Sequence, residues 1–222
     1  ELSKQQQDYF KNSKVRDNNG NLKVVYHGTD ADFTVSNYDY LGKNGTANGK
    51  GFYLADDINV AKSYSNGKNL IEAYVDIQKP LSIGKTTMSE NDYIKFVKAV
   101  NDKTNGTLFA DYGDGEKLTK NSKEYNDVVN QFKEEYKYGG DDVDLALSIL
   151  NSANIKLEDG YRLLRNTTGY DGIIVPTNYK DNGKDIPYTQ YIPLTPEQIK
   201  NVDNTSPTNN VDIRYLKNST SQ

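Results

Sequence analysis

Strand-like alternation occupies both ends of the chain, and helix-like spacing fills its middle. Residues 2–12 read as a short polar helix. Lys14-Val15-Arg16 and Leu22-Lys23-Val24-Val25-Tyr26 then flank Asp17-Asn18-Asn19-Gly20-Asn21. Asn-Gly between two alternating runs predicts a hairpin, because both residues tolerate positive φ. The second run leads straight into His27-Gly28-Thr29. Residues 41–51 carry four glycines among Asn, Lys and Thr and read as a loop. Phe52-Tyr53-Leu54-Ala55 reads as a short strand, with Asp56 or Asp57 placed to cap a helix running to about Tyr64. Leu70 to Ile77 alternates and is expected to stop at Lys79-Pro80.

Residues 86–165 change period. Helical spacing is shown by Tyr93, Phe96, Val97 and Val100, by Val128, Val129 and Phe132, and then by Val143, Leu145, Leu147 and Leu150. Strand signals return at Tyr170-Asp171-Gly172-Ile173-Ile174-Val175. Thr177–Pro187 reads as a loop, Tyr188-Thr189-Gln190-Tyr191-Ile192-Pro193-Leu194 as a strand, and residues 203–222 as a loose tail. The pattern predicts an α+β fold in one domain over 1–222, with a helical insert at 86–165 and a loose end from 204.

Composition narrows the chemistry. The 222 residues contain no Cys, which excludes a disulfide scaffold, a Cys-ligated zinc and a thiol nucleophile. A single His excludes any two-histidine metal site, and no metal is expected. No apolar run approaches the roughly 18 residues a membrane span needs. A net charge of −4 argues against a non-specific DNA coat, which needs a basic face, but leaves nucleic acid open as a transient substrate. The 18 tyrosines can cover a sheet face and still form hydrogen bonds. The chain opens on Glu1 with no Met and no signal peptide, which reads as a piece of a longer polypeptide. The acidic run Glu134, Glu135, Asp141, Asp142 and Asp144 reads as a solvated helix end.

Three segments carry candidate chemistry. A lone His is more often structural than catalytic, but His27 ends a strand and is followed by a glycine that lets a ligand approach the backbone. Tyr53 and Tyr64, eleven residues apart on a strand and the helix behind it, either pack in the core or hold a flat heteroaromatic between them. On the third segment, Tyr188 and Gln190 share one strand face, while Thr189 and Tyr191 share the other.

In this order the three segments resemble the ADP-ribosyltransferases of the diphtheria-toxin and poly(ADP-ribose) polymerase class. That class is marked by a His–Tyr–Glu triad on three strands. His27-Gly28-Thr29 matches its first motif. Gly49-Lys50-Gly51-Phe52-Tyr53-Leu54-Ala55-Asp56, with Tyr64 in register, matches its second. Gln190-Tyr191-Ile192-Pro193 with Gln198-Ile199 matches its third. Asp17–Thr29 and Tyr170-Asp171-Gly172-Ile173-Ile174 also look like the toxin-type members found in prophage and polymorphic-toxin proteins. The resemblance covers roughly residues 14–85 and 168–203 and leaves the helical middle unexplained.

The resemblance implies split, mostly antiparallel sheets with NAD⁺ in the cleft between them, and cleavage of the nicotinamide–ribose bond. It implies that Gly28 backbone groups hold the nicotinamide carboxamide, that His27 and Thr29 serve the adenosine-side ribose, and that Tyr53 and Tyr64 sandwich the nicotinamide. Partners would be NAD, a macromolecular acceptor and an immunity protein. The setting would be a bacterial or phage effector, secreted or delivered to act in a target-cell cytoplasm.

Two departures stand out. Ala61 sits where many polymerases place a Ser that bonds the carboxamide. Gln190 sits where the class has its catalytic Glu. Three explanations stay open: an engineered Glu→Gln change, a natural domain of weak or altered activity, or a different register with another carboxylate in service. Glu197 and Asp185 are poor substitutes by position. Tyr188 at the minus-two place, and His27 in place of Arg, disfavour the arginine-directed class. Alternative functions are an NAD⁺ glycohydrolase and a non-catalytic binding domain.

Overall fold

The computed structural model describes residues 1–29, 52–64, 69–85 and 87–214. The loop expected at 41–51, including Gly49-Lys50-Gly51, lies outside the described residues. The chain divides into two compact units, one of residues 1–80 with 171–222 and one of residues 81–170.

The first unit opens on α1 (Lys4–Phe10), capped by Ser3, whose hydroxyl accepts from the Gln6 amide while the Gln6 side chain returns to the Ser3 amide. Strand β1 (Val25–Thr29) pairs antiparallel with β2 (Leu54–Ala55) on one side and β3 (Asn69–Val75) on the other. Helix α2 (Ile58–Tyr64) follows β2. The long strands β5 (Gly172–Asp181) and β6 (Lys184–Pro193) pair with each other, and β6 joins β2 through Leu54↔Tyr191 and Ala55↔Gln190. A 3₁₀ turn (Pro196–Gln198) leads to β7 (Ile199–Asn201) beside β3. Within this unit the strands run β5-β6-β2-β1-β3-β7. Among the described residues, two strand groups, β1-β3-β7 and β5-β6, are therefore joined by the two-residue strand β2. Val15, Val25, Leu54, Ala73, Val75 and Ile199 belong to one buried hydrophobic cluster of this unit.

Two polar residues stitch this unit. Asp171 is buried and accepts from the amides of Gln78 and Lys79, the latter at 2.8 Å. Gln198, 1% exposed, accepts from the Thr195 amide and hydroxyl and donates to the carbonyls of Asp76 and Asp171. Every polar atom of that amide is satisfied, so the Gln-Ile match in the third motif is a structural clamp.

The structure changes four of the expectations for this unit. Thr177–Pro187 is a hairpin, not a loop: ladder pairing continues from Gly172↔Pro193 to Asp181↔Lys184. Asn182 and Gly183 turn it with φ of 48° and 78°, the two positive values a tight hairpin needs. The first hairpin is smaller than expected, a single bridge Arg16↔Leu22. There the Asp17 carboxylate takes the amides of Asn19 and Asn21 instead of leaving them to a ladder. The segment after 203 is not loose as far as Arg214. The buried Lys200 ammonium donates to the carbonyls of Asn210 and Asp212, and Asn204 holds those of Ile213 and Arg214. Strand β3 ends at Val75, and Pro80 begins the next strand, β4 (Pro80–Ser82), where its missing amide donor is tolerated.

The second unit is helical: α3 (Glu90–Lys103), α4 (Thr107–Ala110), α5 (Lys123–Tyr138), α6 (Asp142–Ser152) and α7 (Leu157–Thr168). Ser89, Ser122 and Asp141 cap α3, α5 and α6 through side-chain oxygens. The faces read from sequence are buried, including Phe96, Val100, Phe132 and Leu150. The acidic run is not uniformly solvated. Asp142 is 0% exposed and accepts from the Thr87 amide and hydroxyl and the Met88 amide.

Candidate functional site

The three motif segments meet where β1, β2 and β6 run side by side. Asp57 caps α2 by accepting from the amides of Asn59 and Val60, which fixes the helix start and places Tyr64 in its last turn. Asp56 does separate work: its carboxylate takes the Thr189 amide at 2.8 Å and pairs with Lys23 at 3.0 Å. Lys23 also donates to the Tyr191 hydroxyl. These bonds lock β6 to β2 in the register that sets Gln190 opposite Ala55.

A cleft opens beside this junction, with about 320 Å³ of empty space that includes open solvent and about 20 Å³ free to the centre of a water molecule. The empty space is at the small end of ligand sites. His27, Gly28, Tyr53, Tyr64 and Gln190 all border it, so five of the six residues singled out from sequence converge. For the sixth, Thr29, only the backbone at the end of β1 is described. Ala61 borders the cleft with no side-chain polar group to offer. Neither Glu197 nor Asp185 does: Glu197 is in the 3₁₀ turn, and Asp185 pairs with Lys180 at 3.1 Å on the β5–β6 hairpin.

Sequence reading missed Tyr26 and Ala55, which also border the cleft. Tyr26 lies two residues before Gly28 on β1, so the period-2 rule could have found it.

His27 is 5% exposed and packs on Phe52, ring centroids 4.0 Å apart. Burial pushes its pKa down to about 4, against a smaller upward pull from the Tyr53 carbonyl. At neutral pH the ring is uncharged. Its Nδ1 is 2.7 Å from the Tyr53 carbonyl oxygen, so Nδ1 carries the proton and donates, and Nε2 keeps a lone pair.

Gly28 presents its backbone here. Asp56 N–H donates to the Thr189 carbonyl, so the backbone groups of Asp56 face β6 and those of Ala55 face β1. Ala55 pairs with Tyr26, the only β1–β2 pair among the described residues. By alternation Gly28 directs its N–H and C=O to the same side, beyond the end of that ladder and beside Tyr53.

Among the described lining residues none bears a formal charge at neutral pH. The site offers aromatic faces, a backbone donor–acceptor pair, a neutral imidazole and a carboxamide. That set suits a flat, amide-bearing ring, and the described lining residues include no anion to offset a positive charge formed on the ribose during reaction.

A family model described as ADP-ribosyltransferase in polyvalent proteins matches residues 17–209. No curated protein and no solved structure matches the chain. The matched span runs through all three motif segments and the helical unit between them, and the chain belongs to the ADP-ribosyltransferases of polyvalent proteins.

Proposed function

We propose that the cleft binds NAD⁺ and that the chain as given turns it over slowly. The observation that carries this is the convergence of His27, Tyr64 and Gln190 on one cleft, with a neutral amide at the place of the carboxylate. In this reading Gly28 holds the nicotinamide carboxamide, while Tyr53 and Tyr64 take its two faces. Stacking of that kind contributes roughly 1 kcal/mol per ring beyond burial. Neutral His27 accepts a ribose hydroxyl at Nε2. Tyr64, 54% exposed, forms the solvent-facing wall of the cleft.

Departure of nicotinamide leaves positive charge on the ribose, and an enzyme gains rate by stabilising that charge in the transition state. Gln190 keeps the shape of Glu and can accept a ribose hydroxyl at Oε1, but it offers no negative charge. Binding is therefore retained while the electrostatic part of catalysis is lost.

The biological reading is a toxin-like effector that transfers ADP-ribose to a macromolecule in a target cell and is restrained in its producer by an immunity protein. What supports it is the polyvalent-protein family. No helix among the described residues is long and apolar enough to cross a membrane. The experiment is incubation of the Gln190→Glu variant with labelled NAD⁺ and a cell lysate. Labelled macromolecule supports transfer, free ADP-ribose alone points to hydrolysis, and no turnover contradicts the enzyme reading.

A further inference from the structure

Tyr188 does not border the cleft, yet it bonds one residue that does, Gln190, and neighbours another, Tyr64. It leaves β6 on the same face as Gln190. Gln190 Nε2 donates to the Tyr188 hydroxyl at 3.3 Å. The Tyr64 hydroxyl lies near enough to that hydroxyl to act on its titration. Behind Tyr188 stands Tyr179, in edge-to-face contact with centroids 5.8 Å apart. The Tyr179 hydroxyl donates to Asp57 Oδ2 at 3.4 Å. Asp57 is the cap of α2, the helix that carries Tyr64. These neighbours form a circuit: Asp57, α2, Tyr64, Tyr188, Tyr179 and back to Asp57.

We infer that Tyr188 is a positioning residue of this site, whose hydroxyl orients the side chain at 190 and steadies Tyr64 at the cleft mouth. The inference rests on the reading of the cleft as the NAD⁺ site. A phenol both donates and accepts. Toward Gln190 it accepts from the amide nitrogen, which leaves Oε1 as the end of the amide available to a ribose hydroxyl. Toward the carboxylate of a Gln190→Glu variant it donates. Burial, with the Tyr64 hydroxyl beside it, holds the phenol pKa above its ordinary value, so the proton it needs is present at neutral pH. The same hydroxyl thus serves both the amide and a carboxylate without backbone movement.

The test is Tyr188→Phe, which removes one oxygen and keeps the ring against Tyr179. Three results are expected. The side-chain amide resonances of Gln190 shift in isotope-labelled protein without any ligand. NAD⁺ affinity by calorimetry falls ~3–10-fold, the range of one lost hydrogen bond. Nicotinamide release in the Gln190→Glu background loses about tenfold in kcat. Tyr64→Phe breaks the same chain from its exposed end. The double variant should bind NAD⁺ no more weakly than either single one, since both changes cut one chain. Additive losses, or an unshifted Gln190 amide with unchanged affinity, overturn the inference. If Tyr188→Phe does not fold, Tyr64→Phe alone decides on affinity and kcat. If the unaltered protein binds no NAD⁺, the cleft reading falls, while the amide shift still decides whether Tyr188 holds Gln190.

Discussion

His27 reaches across from β1 and donates from Nδ1 to the carbonyl oxygen of Tyr53, 2.7 Å away. This bond ties the strand carrying the first motif to the segment carrying the second, at the point where the β1–β2 ladder has already ended. It also fixes the tautomer, so Nε2 is left as the acceptor nitrogen.

The buried ring gives a pH dependence with a definite sign. The unfolded chain protonates His27 below its ordinary pKa of 6.5, while the folded one does so only near 4. Between those values the unfolded state binds more protons, so stability falls as pH drops from 6.5 toward 4 and the contribution levels off below. The full effect is about 3 kcal/mol. Denaturant unfolding across that window, for the protein and His27→Gln, should give a difference that changes with pH. A flat difference contradicts the neutral buried imidazole.

Tyr64 is half-exposed, so its removal costs mainly a stacking face. Tyr64→Ala should weaken NAD⁺ binding by roughly 1–2 kcal/mol, with Tyr64→Phe nearer the unaltered protein. Calorimetry with equal affinities for Tyr64→Ala and the unaltered protein speaks against the sandwich.

Asp142 is a structural carboxylate of the helical unit. Asp142→Ala leaves the donors of Thr87 and Met88 without their acceptor, at a cost of roughly 3 kcal/mol or more. Asp142→Asn keeps an acceptor and should cost less. Hydrogen exchange should show the loss in α3 and α6. Equal protection in all three proteins sinks the assignment.

At the tip of the β5–β6 hairpin, Gly183 has φ of 78° and open space where a Cβ would go. Gly183→Ala is therefore a pure backbone test, expected to cost about 1 kcal/mol. A thermal melt unchanged by the substitution argues against the tight turn.

Much of this was legible in the sequence, because local signals and tertiary structure agreed. The 3.6-residue spacing of Phe96, Val97 and Val100 and of Val128, Val129 and Phe132 marked helix faces that are buried. His27, Gly28, Tyr53, Tyr64 and Gln190 were found from motif order, and all border one cleft. The misses have physical causes. Asn182-Gly183 is the same turn signal as Asn19-Gly20, but the polar run around it masked the pairing of Asn178, Lys180 and Asp185. At Asn19-Gly20 the signal was read as a full hairpin, yet Asp17 satisfies the amides locally and the pairing shrinks to one bridge. Asp142 looked like its acidic neighbours, since charge patterning carries no information on which carboxylate meets three donors. The segment from 203 to 214 looked loose because it is held by Lys200 and Asn204, polar residues that bind backbone carbonyls.

The central claim is that the side chain at 190 supplies, or fails to supply, the negative charge of the transition state. Nicotinamide release should be measured for the unaltered protein and for Gln190→Glu, side by side at saturating NAD⁺, with and without lysate. The account predicts a rate at least about 10²-fold higher in the Gln190→Glu variant, with a much smaller change in NAD⁺ affinity. Equal rates in the two proteins would contradict it, placing the chemistry at another residue.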